Sequence, residues 1–332
     1  MSSTTIVGND DFRFEADGNW AKRPEGVNWL DVVAVHFTSE NNIYVFNRGD
    51  RELIYFDSEG NHVGDWGETN FVRPHGITIS LEDEIFLTDD FGHTVTKYDL
   101  NGNILFILGE RGTHSDTGTT NVDYRNIKYS AGPFNYPTNL VVAEDRSFYV
   151  SDGYGNARIH HFNADGVHLR SWGDPGDKPG QFAVPHDLRI SSSGDIWVAD
   201  RENDRLQIFS PEGDFIRQIE GLARPASLDF GPDGEVYVFE LGYRAGMFPG
   251  NKPPCDDAPG GRLSVLTQDG EVLCQIGGGD ATSGAGDFYA PHNIRIDRNG
   301  DLYLTEVVWA AGGCKGLSPE DSPALQKLVR VK

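Results

Sequence analysis

The sequence contains few cysteines and methionines and has no long apolar run. Its 332 residues include 3 Cys and 2 Met. The cysteines, Cys255, Cys274 and Cys314, are odd in number and lack metal-finger spacing, which favours a reducing compartment over a disulfide scaffold. No stretch approaches the roughly 18 apolar residues of a membrane-spanning helix. The first residues lack the basic and apolar regions of a signal peptide, so we expect a cytoplasmic protein, or a secreted one if a signal was trimmed.

Basic residues are also scarce. Lys and Arg total 28 against 51 Asp and Glu, which gives a net charge of −23. Nucleic-acid binding needs clustered Lys and Arg, so the composition excludes a nucleic-acid partner. The acidic residues are spread along the chain, as expected for a solvated surface.

What the chain does contain is a repeat of about 35 to 50 residues, the length of a propeller blade. Each copy has a second strand that ends in an acid or amide, and most copies have an Asp-Gly, Glu-Gly or Asn-Gly turn before a final strand. Six copies predict an all-β fold, a six-bladed β-propeller forming a single domain over residues 1–332. We expect a monomer. The copies begin near Asp31, Pro74, Pro137, Pro185, Pro225 and Pro291.

The sixth repeat ends after its third strand, residues 325–331, and therefore lacks a fourth strand. Residues 11–15 alternate in polarity and precede the first blade. We predict that they close the ring as the outer strand of the last blade, which removes an open sheet edge. The repeats resemble those of the NHL family of propellers over nearly the whole chain.

Pro-His occurs three times, and each copy opens a first strand. The histidines are His75, His186 and His292, and their spacing is nearly equal. First strands line the channel of a propeller, and alternate blades of a six-fold ring lie about 120° apart. Three imidazoles that converge there would form a metal site with an open position, which suits Zn²⁺, although other divalent transition metals fit the same ligands.

Other polar residues follow the second strands and are predicted to lie at the same end. Arg48 and Arg201 occupy the same register in blades 1 and 4, and arginine suits a carboxylate. Tyr154 can act as a proton-transfer group. Three insertions, 110–133, 242–261 and 307–324, are predicted to form a collar on this face. Cys255 and Cys314 lie in two of them, and we expect free thiols, with a disulfide as the alternative.

Several segments together resemble peptidyl-α-hydroxyglycine α-amidating lyase over about residues 30 to 307. They are Asn47-Arg48-Gly-Asp50, Asp152-Gly-Tyr154-Gly, Asp200-Arg201-Glu-Asn203 and the Pro-His pairs. The resemblance implies a lyase that cleaves the N–C bond of N-substituted α-hydroxyglycines to an amide and glyoxylate. It also implies zinc on His75, His186 and His292, an essential Tyr154, and active-site arginines at Arg48 and Arg201.

The resemblance further implies a structural calcium at the carbonyls of Val35 and Ile77 and the side chain of residue 293. At residue 293 the family has an acid, whereas this chain has Asn293, which lowers the negative charge at that position. Gly155 replaces a cysteine, and Ala290 replaces a methionine beside a zinc ligand.

Two other functions stay open at this point. One is a metal-dependent hydrolase or lactonase on a propeller scaffold, and the other is a non-enzymatic NHL-type interaction module. Within the lyase hypothesis, the substrate is a small-molecule or peptide-like carboxylate, and ureidoglycolate satisfies the chemistry as well as a peptide does. No membrane partner is expected.

Overall fold

The computed structural model describes residues 5–66, 69–245, 253–281, 284–319 and 321–331. Almost all of its regular structure is β-strand, apart from one helical turn, α1 (Val308–Ala311), and short 3₁₀ turns at Tyr124–Asn126, Arg201–Asn203 and Gly313–Lys315. Within these described ranges, no helix has the length and apolar character to cross a membrane.

The strands follow the predicted repeats. In chain order the first half comprises β1 (Thr5–Gly8), β2 (Arg13–Asp17), β3 (Val32–Phe37), β4 (Ile43–Asn47), β5 (Leu53–Phe56), β6 (His62–Asp65), β7 (Pro74–Ile79), β8 (Ile85–Asp89), β9 (Thr94–Tyr98), β10 (Ile104–Leu108), β11 (Pro137–Val142), β12 (Phe148–Asp152), β13 (Arg158–Phe162) and β14 (His168–Trp172). The second half comprises β15 (Asp174–Pro175), β16 (Gln181–Phe182), β17 (Pro185–Ile190), β18 (Ile196–Asp200), β19 (Arg205–Phe209), β20 (Phe215–Glu220), β21 (Pro225–Phe230), β22 (Val236–Glu240), β23 (Arg262–Leu266), β24 (Val272–Gly277), β25 (Pro291–Ile296), β26 (Leu302–Glu306) and β27 (Leu325–Arg330).

These strands form six antiparallel blades, and β15 and β16 add a short parallel pair. Blades 1 to 5 are the consecutive quartets β3–β6, β7–β10, β11–β14, β17–β20 and β21–β24, and blade 6 is ordered β25, β26, β27, β2 and β1. The fold is a six-bladed β-propeller, as the repeat predicts. Five blades begin at the predicted prolines, and the first begins at Val32.

The blades belong to two compact units. Unit 1 comprises the described residues of 1–68 and 223–332, which hold blades 5, 6 and 1, and unit 2 comprises those of 69–222, which hold blades 2, 3 and 4. In unit 1, one apolar cluster that includes Phe239 and Leu304 joins blades 5 and 6, and another that includes Tyr303 and Val45 joins blades 6 and 1. In unit 2, corresponding clusters join blade 2 to blade 3 and blade 3 to blade 4.

The burial of a strand depends on its position within the blade. All six second strands, from β4 to β26, are buried along their whole length, whereas outer strands such as β10 and β14 are largely exposed. The apolar second strands are therefore covered on both faces, as expected for the middle of a blade packed between neighbours.

The N-terminal segment supplies the outer strands of blade 6. β2 pairs antiparallel with β27, with Phe14 opposite Arg330 and Asp17 opposite Lys327. The predicted closing strand is confirmed, although it spans Arg13–Asp17 rather than 11–15. A fifth strand, β1, pairs with β2 and was not predicted.

Candidate metal and substrate site

Each of the three predicted ligand histidines lies at a β-bulge in the first strand of its blade. In blade 4, for example, Pro185 pairs with Asp200 and Asp187 pairs with Ala199, so His186 has no partner across the ladder. The same register shift occurs in every first strand. A bulge re-aims the side chain of its extra residue. The bulge residues are Val33, His75, Thr138, His186, Ala226 and His292.

This register places the histidines in alternate blades, as predicted. The counterpart of the histidines in blade 1 is Val33, two residues after the predicted start of that repeat at Asp31. All three histidines are buried, and each can offer one ring nitrogen to a metal.

In unit 2, the hydroxyl of Tyr154 lies between two of the histidines. Its Oη atom is 3.0 Å from Nε2 of His75 and 2.9 Å from Nε2 of His186. The two imidazole ring centroids are 5.0 Å apart. The structure thus brings together three residues that the sequence places in three different blades.

The other ring nitrogen of His75 sets the tautomer of the neutral imidazole. Its Nδ1 atom lies 2.7 Å from the carbonyl oxygen of Thr138, the bulge residue of blade 3. Because a carbonyl oxygen only accepts hydrogen bonds, Nδ1 carries the hydrogen and Nε2 presents a lone pair. In unit 1, Nδ1 of His292 likewise lies 2.6 Å from the carbonyl of Val33, the bulge residue of blade 1.

A backbone carbonyl on one ring nitrogen is the usual outer-shell partner of a metal-binding histidine. Since this contact orients the ring and leaves Nε2 unprotonated, the donor chemistry of His75 and His292 fits a divalent transition metal.

The turn that carries Tyr154 depends on Gly155. A Cβ atom on this residue would lie 2.4 Å from Oδ1 of Asn135 and 2.6 Å from the ring of Tyr136. The carbonyl of Gly155 accepts a 2.6 Å hydrogen bond from Oγ1 of Thr117. The turn therefore admits no side chain at residue 155 without movement of its neighbours.

Arg201 lies against Tyr154 in unit 2. Its Nη1 atom is 3.4 Å from the tyrosine hydroxyl, and its Nε donates to Glu202 over 2.8 Å. Burial alone would lower the pKa of Arg201, but the neighbouring Tyr154 and Glu202 raise it above its ordinary value. The guanidinium is thus a fixed positive charge beside the hydroxyl.

Arg48 occupies the corresponding register in unit 1. Its backbone amide donates to the carbonyl of Asp31, as that of Arg201 donates to Val184, and each acceptor directly precedes a first strand. Its Nη1 lies 3.4 Å from Oδ2 of Asp31, and the side chain is largely buried. The shared register is confirmed, whereas the role of Arg48 in substrate binding stays a prediction.

Arg73 also contacts Tyr154, and sequence reasoning missed it. Its guanidinium carbon lies 5.6 Å from the Tyr154 ring centroid and 3.6 Å from that of Phe91. Nε donates to both carboxylate oxygens of Asp90, at 2.9 and 3.0 Å. The sequence signals are that Arg73 directly precedes Pro74-His75 and that Arg224 holds the same position before Pro225.

The predicted calcium donors can be followed in part. In unit 1, Oδ1 of Asn293 accepts a hydrogen bond from the amide of Val35 at 3.2 Å, and its Nδ2 lies 3.3 Å from Oγ of Ser227. The side-chain oxygen that would face calcium is thus already engaged, and it carries no charge. A calcium ion at Val35, Ile77 and Asn293 stays a prediction.

Buried acids at the ends of second strands have a structural role. Asp89, Asp152, Asp200, Glu240 and Glu306 each accept at least one backbone amide from the segment that precedes the first strand of the same blade. Burial raises the pKa of Asp200 to about 6 and that of Glu306 to about 7, against the opposing effect of these hydrogen bonds.

One of these acids belongs to an arrangement that looks like a catalytic triad. His160 lies 3.2 Å from Oδ2 of Asp152 and 2.7 Å from Oγ of Ser171. The residue at the position of His160 in other blades also bonds the equivalent acid, as Gln207 does with Asp200 and Ser264 with Glu240. The repetition indicates that this relay stabilises the blade.

The insertions differ in how they contact the blades. Within 110–133, Thr117 bonds Gly155 and the carbonyl of Thr120 accepts from Tyr136, so this insertion packs on the Tyr154 turn. The described parts of 242–261 and 307–324 line one cavity of about 410 Å³ in unit 1. Residues 246–252 and 320 of these insertions lie outside the described ranges. Cys255 and Cys314 are exposed free thiols, as expected.

Comparison with known proteins gives relatives of two kinds. Residues 182–209 match the NHL repeat. The chain is 26% identical to human NHL repeat-containing protein 3 over 310 residues, which cover 89% of this chain and 81% of that protein. It is 31% identical over 186 residues to a probable peptidyl-alpha-hydroxyglycine alpha-amidating lyase of Caenorhabditis elegans, covering 54% of this chain and 49% of that one.

Among solved structures, the fold is similar to that of a catalytically inactive virginiamycin B lyase from Staphylococcus aureus with quinupristin. The TM-score is 0.58 at 12% identity, and the match covers 96% of this chain and 100% of that one. This likeness shows the propeller fold alone.

Proposed function

We propose that this protein is a metal-dependent carbon–nitrogen lyase. Its substrate would be an N-substituted α-hydroxyglycine or a related carbinolamide, and its products an amide and glyoxylate or a related aldehyde. The observation that carries the proposal is the Tyr154 hydroxyl between Nε2 of His75 and Nε2 of His186, with Arg201 beside it. The relative named as a lyase supports the reaction class.

His75, His186 and His292 would hold the metal, which we propose to be zinc. They share one register at the bulge of alternate blades, and the carbonyls on His75 and His292 leave Nε2 of each ring as a ligand. Three imidazoles with an open position are a typical catalytic zinc set. When bound, the ion would act as a Lewis acid that makes the α-hydroxyl easier to deprotonate.

Tyr154 would move the proton. In the proposed step, Oη of Tyr154 accepts the proton of the substrate α-hydroxyl and passes its own proton to the departing amide nitrogen. The electrons of the O–H bond form the aldehyde C=O bond, and those of the C–N bond leave with the amide. General acid–base catalysis of this kind contributes typically about 10²- to 10⁴-fold.

The arginines would hold the substrate carboxylate. Arg201 is buried and positively charged beside Tyr154, so a carboxylate bound to it would lie next to the proton-transfer group. Arg48, at the equivalent register, is the second candidate. Fixed donors that face developing charge support the transition state without reorganisation.

The decisive experiment measures glyoxylate release from α-hydroxyhippurate and from ureidoglycolate. Tyr154→Phe should lower kcat/KM by about 100- to 10,000-fold. Tyr129→Phe is the matched control, since Tyr129 is exposed. A wild-type enzyme that carries metal and releases no aldehyde from either compound would falsify the lyase proposal.

Elemental analysis of protein purified without added metal tests the metal centre independently. About one equivalent of zinc is expected for a single three-histidine site. A folded triple variant with alanine in place of His75, His186 and His292 should lose it, whereas His62→Ala should not. Absence of metal from the wild-type protein would favour an interaction module instead.

A further inference from the structure

Arg73 forms an ion pair in which one nitrogen of its guanidinium, Nη1, takes no part. Nε and Nη2 both contact the carboxylate of Asp90, which is fully buried, and the guanidinium stacks on the ring of Phe91. Among the described residues, its Nη1 atom has no hydrogen-bond partner. The Arg73 side chain remains 28% exposed.

The geometry of this pair decides what Nη1 can bind. Nε and Nη2 engage both carboxylate oxygens of Asp90. This pairing leaves Nη1 as a charge-assisted donor, which suits a single acceptor oxygen such as that of an amide carbonyl.

The location of Arg73 next to Tyr154 indicates which substrate carbonyl its Nη1 would bind. Arg73 and Arg201 both lie within 6 Å of the Tyr154 ring centroid, at 5.6 and 5.4 Å. Arg201 is assigned to the carboxylate in the proposed function. The remaining acceptor on an N-acyl α-hydroxyglycine is the oxygen of its acyl group.

We propose that Nη1 of Arg73 donates a hydrogen bond to the acyl oxygen of the substrate, an inference that rests on the proposed function. When the C–N bond breaks, its electron pair moves onto the amide nitrogen and is shared with the acyl oxygen. A donor there stabilises the leaving group until Tyr154 protonates the nitrogen. Phe91, a residue that is 37% exposed, supplies apolar surface beside the acyl substituent.

The test is a binding comparison of hippurate with 4-phenylbutanoate, in which two methylene groups replace the amide of hippurate. Calorimetry on the metal-loaded protein should show that wild type prefers hippurate by about 10- to 100-fold, the value of a hydrogen bond to a charged donor. Arg73→Gln should reduce the preference to about threefold or less, because the charged donor is lost.

Two further variants separate recognition from folding. Arg73→Lys keeps a cation beside Asp90 but lacks a second terminal nitrogen, so it should lose the preference while staying folded. Arg125→Gln, at an exposed arginine paired with Asp123, should keep it. Equal preference in wild type and both Arg73 variants, or equal weakening of both ligands, would overturn the proposal.

Kinetics with α-hydroxyhippurate then distinguish the two proposals. Wild-type glyoxylate release with about a 10- to 100-fold lower kcat/KM in Arg73→Gln supports both. If wild type releases glyoxylate and Arg73→Gln releases it equally well, the proposed role of Arg73 is overturned and the lyase proposal stands. If the metal-loaded wild type releases no glyoxylate from α-hydroxyhippurate or from ureidoglycolate, the lyase proposal fails, and the ligand pair still decides whether Arg73 recognises an amide.

Discussion

Glu306 should make the stability of this protein depend on pH. The carboxyl group ends the second strand of blade 6 and is almost completely buried. Its oxygens accept hydrogen bonds from the amides of Tyr289 and Ala290 and from the side chain of Gln326. Burial nevertheless dominates and raises the pKa from 4.5 to about 7.

The raised pKa fixes the sign of the effect. The folded state binds the proton more tightly than the unfolded chain does, so the protonated carboxyl stabilises the fold fully below pH 4.5. This contribution decreases as the pH rises and is lost above about pH 7. The difference between the two pKa values corresponds to about 3 kcal/mol of unfolding free energy.

Urea unfolding of wild type and Glu306→Gln between pH 4 and 9 measures this contribution. Glutamine does not titrate, so any fixed cost of the substitution is the same at every pH. The difference in unfolding free energy between the two proteins should change by about 3 kcal/mol across the interval, in favour of the variant at high pH. A difference that stays constant from pH 4 to 9 would refute the reasoning, and Glu59→Gln, at an exposed loop, is the control.

Two further substitutions test the fold and the tyrosine turn. Phe14→Ala removes a fully buried ring from the strand that completes blade 6. Urea unfolding should show that the free energy of unfolding falls by about 3 to 5 kcal/mol. A decrease below about 1 kcal/mol would mean that the closing strand contributes little to stability. Gly155→Cys forces contact with Asn135 and Tyr136, so we expect about 1 to 3 kcal/mol of destabilisation. A variant as stable as wild type would contradict the inference that the turn admits no side chain at residue 155.

The blade boundaries were predictable because each repeat has a local chemical signature. A proline opens five first strands, a buried acid closes five second strands, and glycine turns such as Gly166 adopt positive φ. The closing strand was predictable from what the sixth repeat lacked. Its extension by β1 was not, because TIVG pairs outside a sheet that is already complete and contributes to the core only through the partly buried Val7.

Most of the candidate site was predictable because it repeats, whereas Tyr154 was predicted from its place after a second strand and from the family resemblance. The histidines share a register with one another, and Arg48 shares one with Arg201, so internal comparison of the repeats finds them. The residue before the opening proline is also an arginine in blade 5, Arg224, but it is Tyr136 in blade 3, Val184 in blade 4 and Ala290 in blade 6, so Arg73 does not follow the alternate-blade pattern of the histidines. Its position beside Tyr154 depends on the path of the guanidinium from blade 2 to Asp90 and Phe91, which only the structure gives.

The bulge explains why a histidine in every second blade is a workable ligand pattern. The extra residue leaves the ladder, so its side chain turns away from the sheet and its carbonyl is available to a neighbouring blade. In unit 2 the bulge carbonyl of Thr138 orients His75, and in unit 1 that of Val33 orients His292. In both cases a blade without a histidine supplies the carbonyl acceptor, and this acceptor sets the tautomer of the histidine in the neighbouring blade. A proline substituted at residue 138 or 33 would keep that carbonyl but restrict the bulge, so affinity for the proposed metal should fall while the three imidazoles remain.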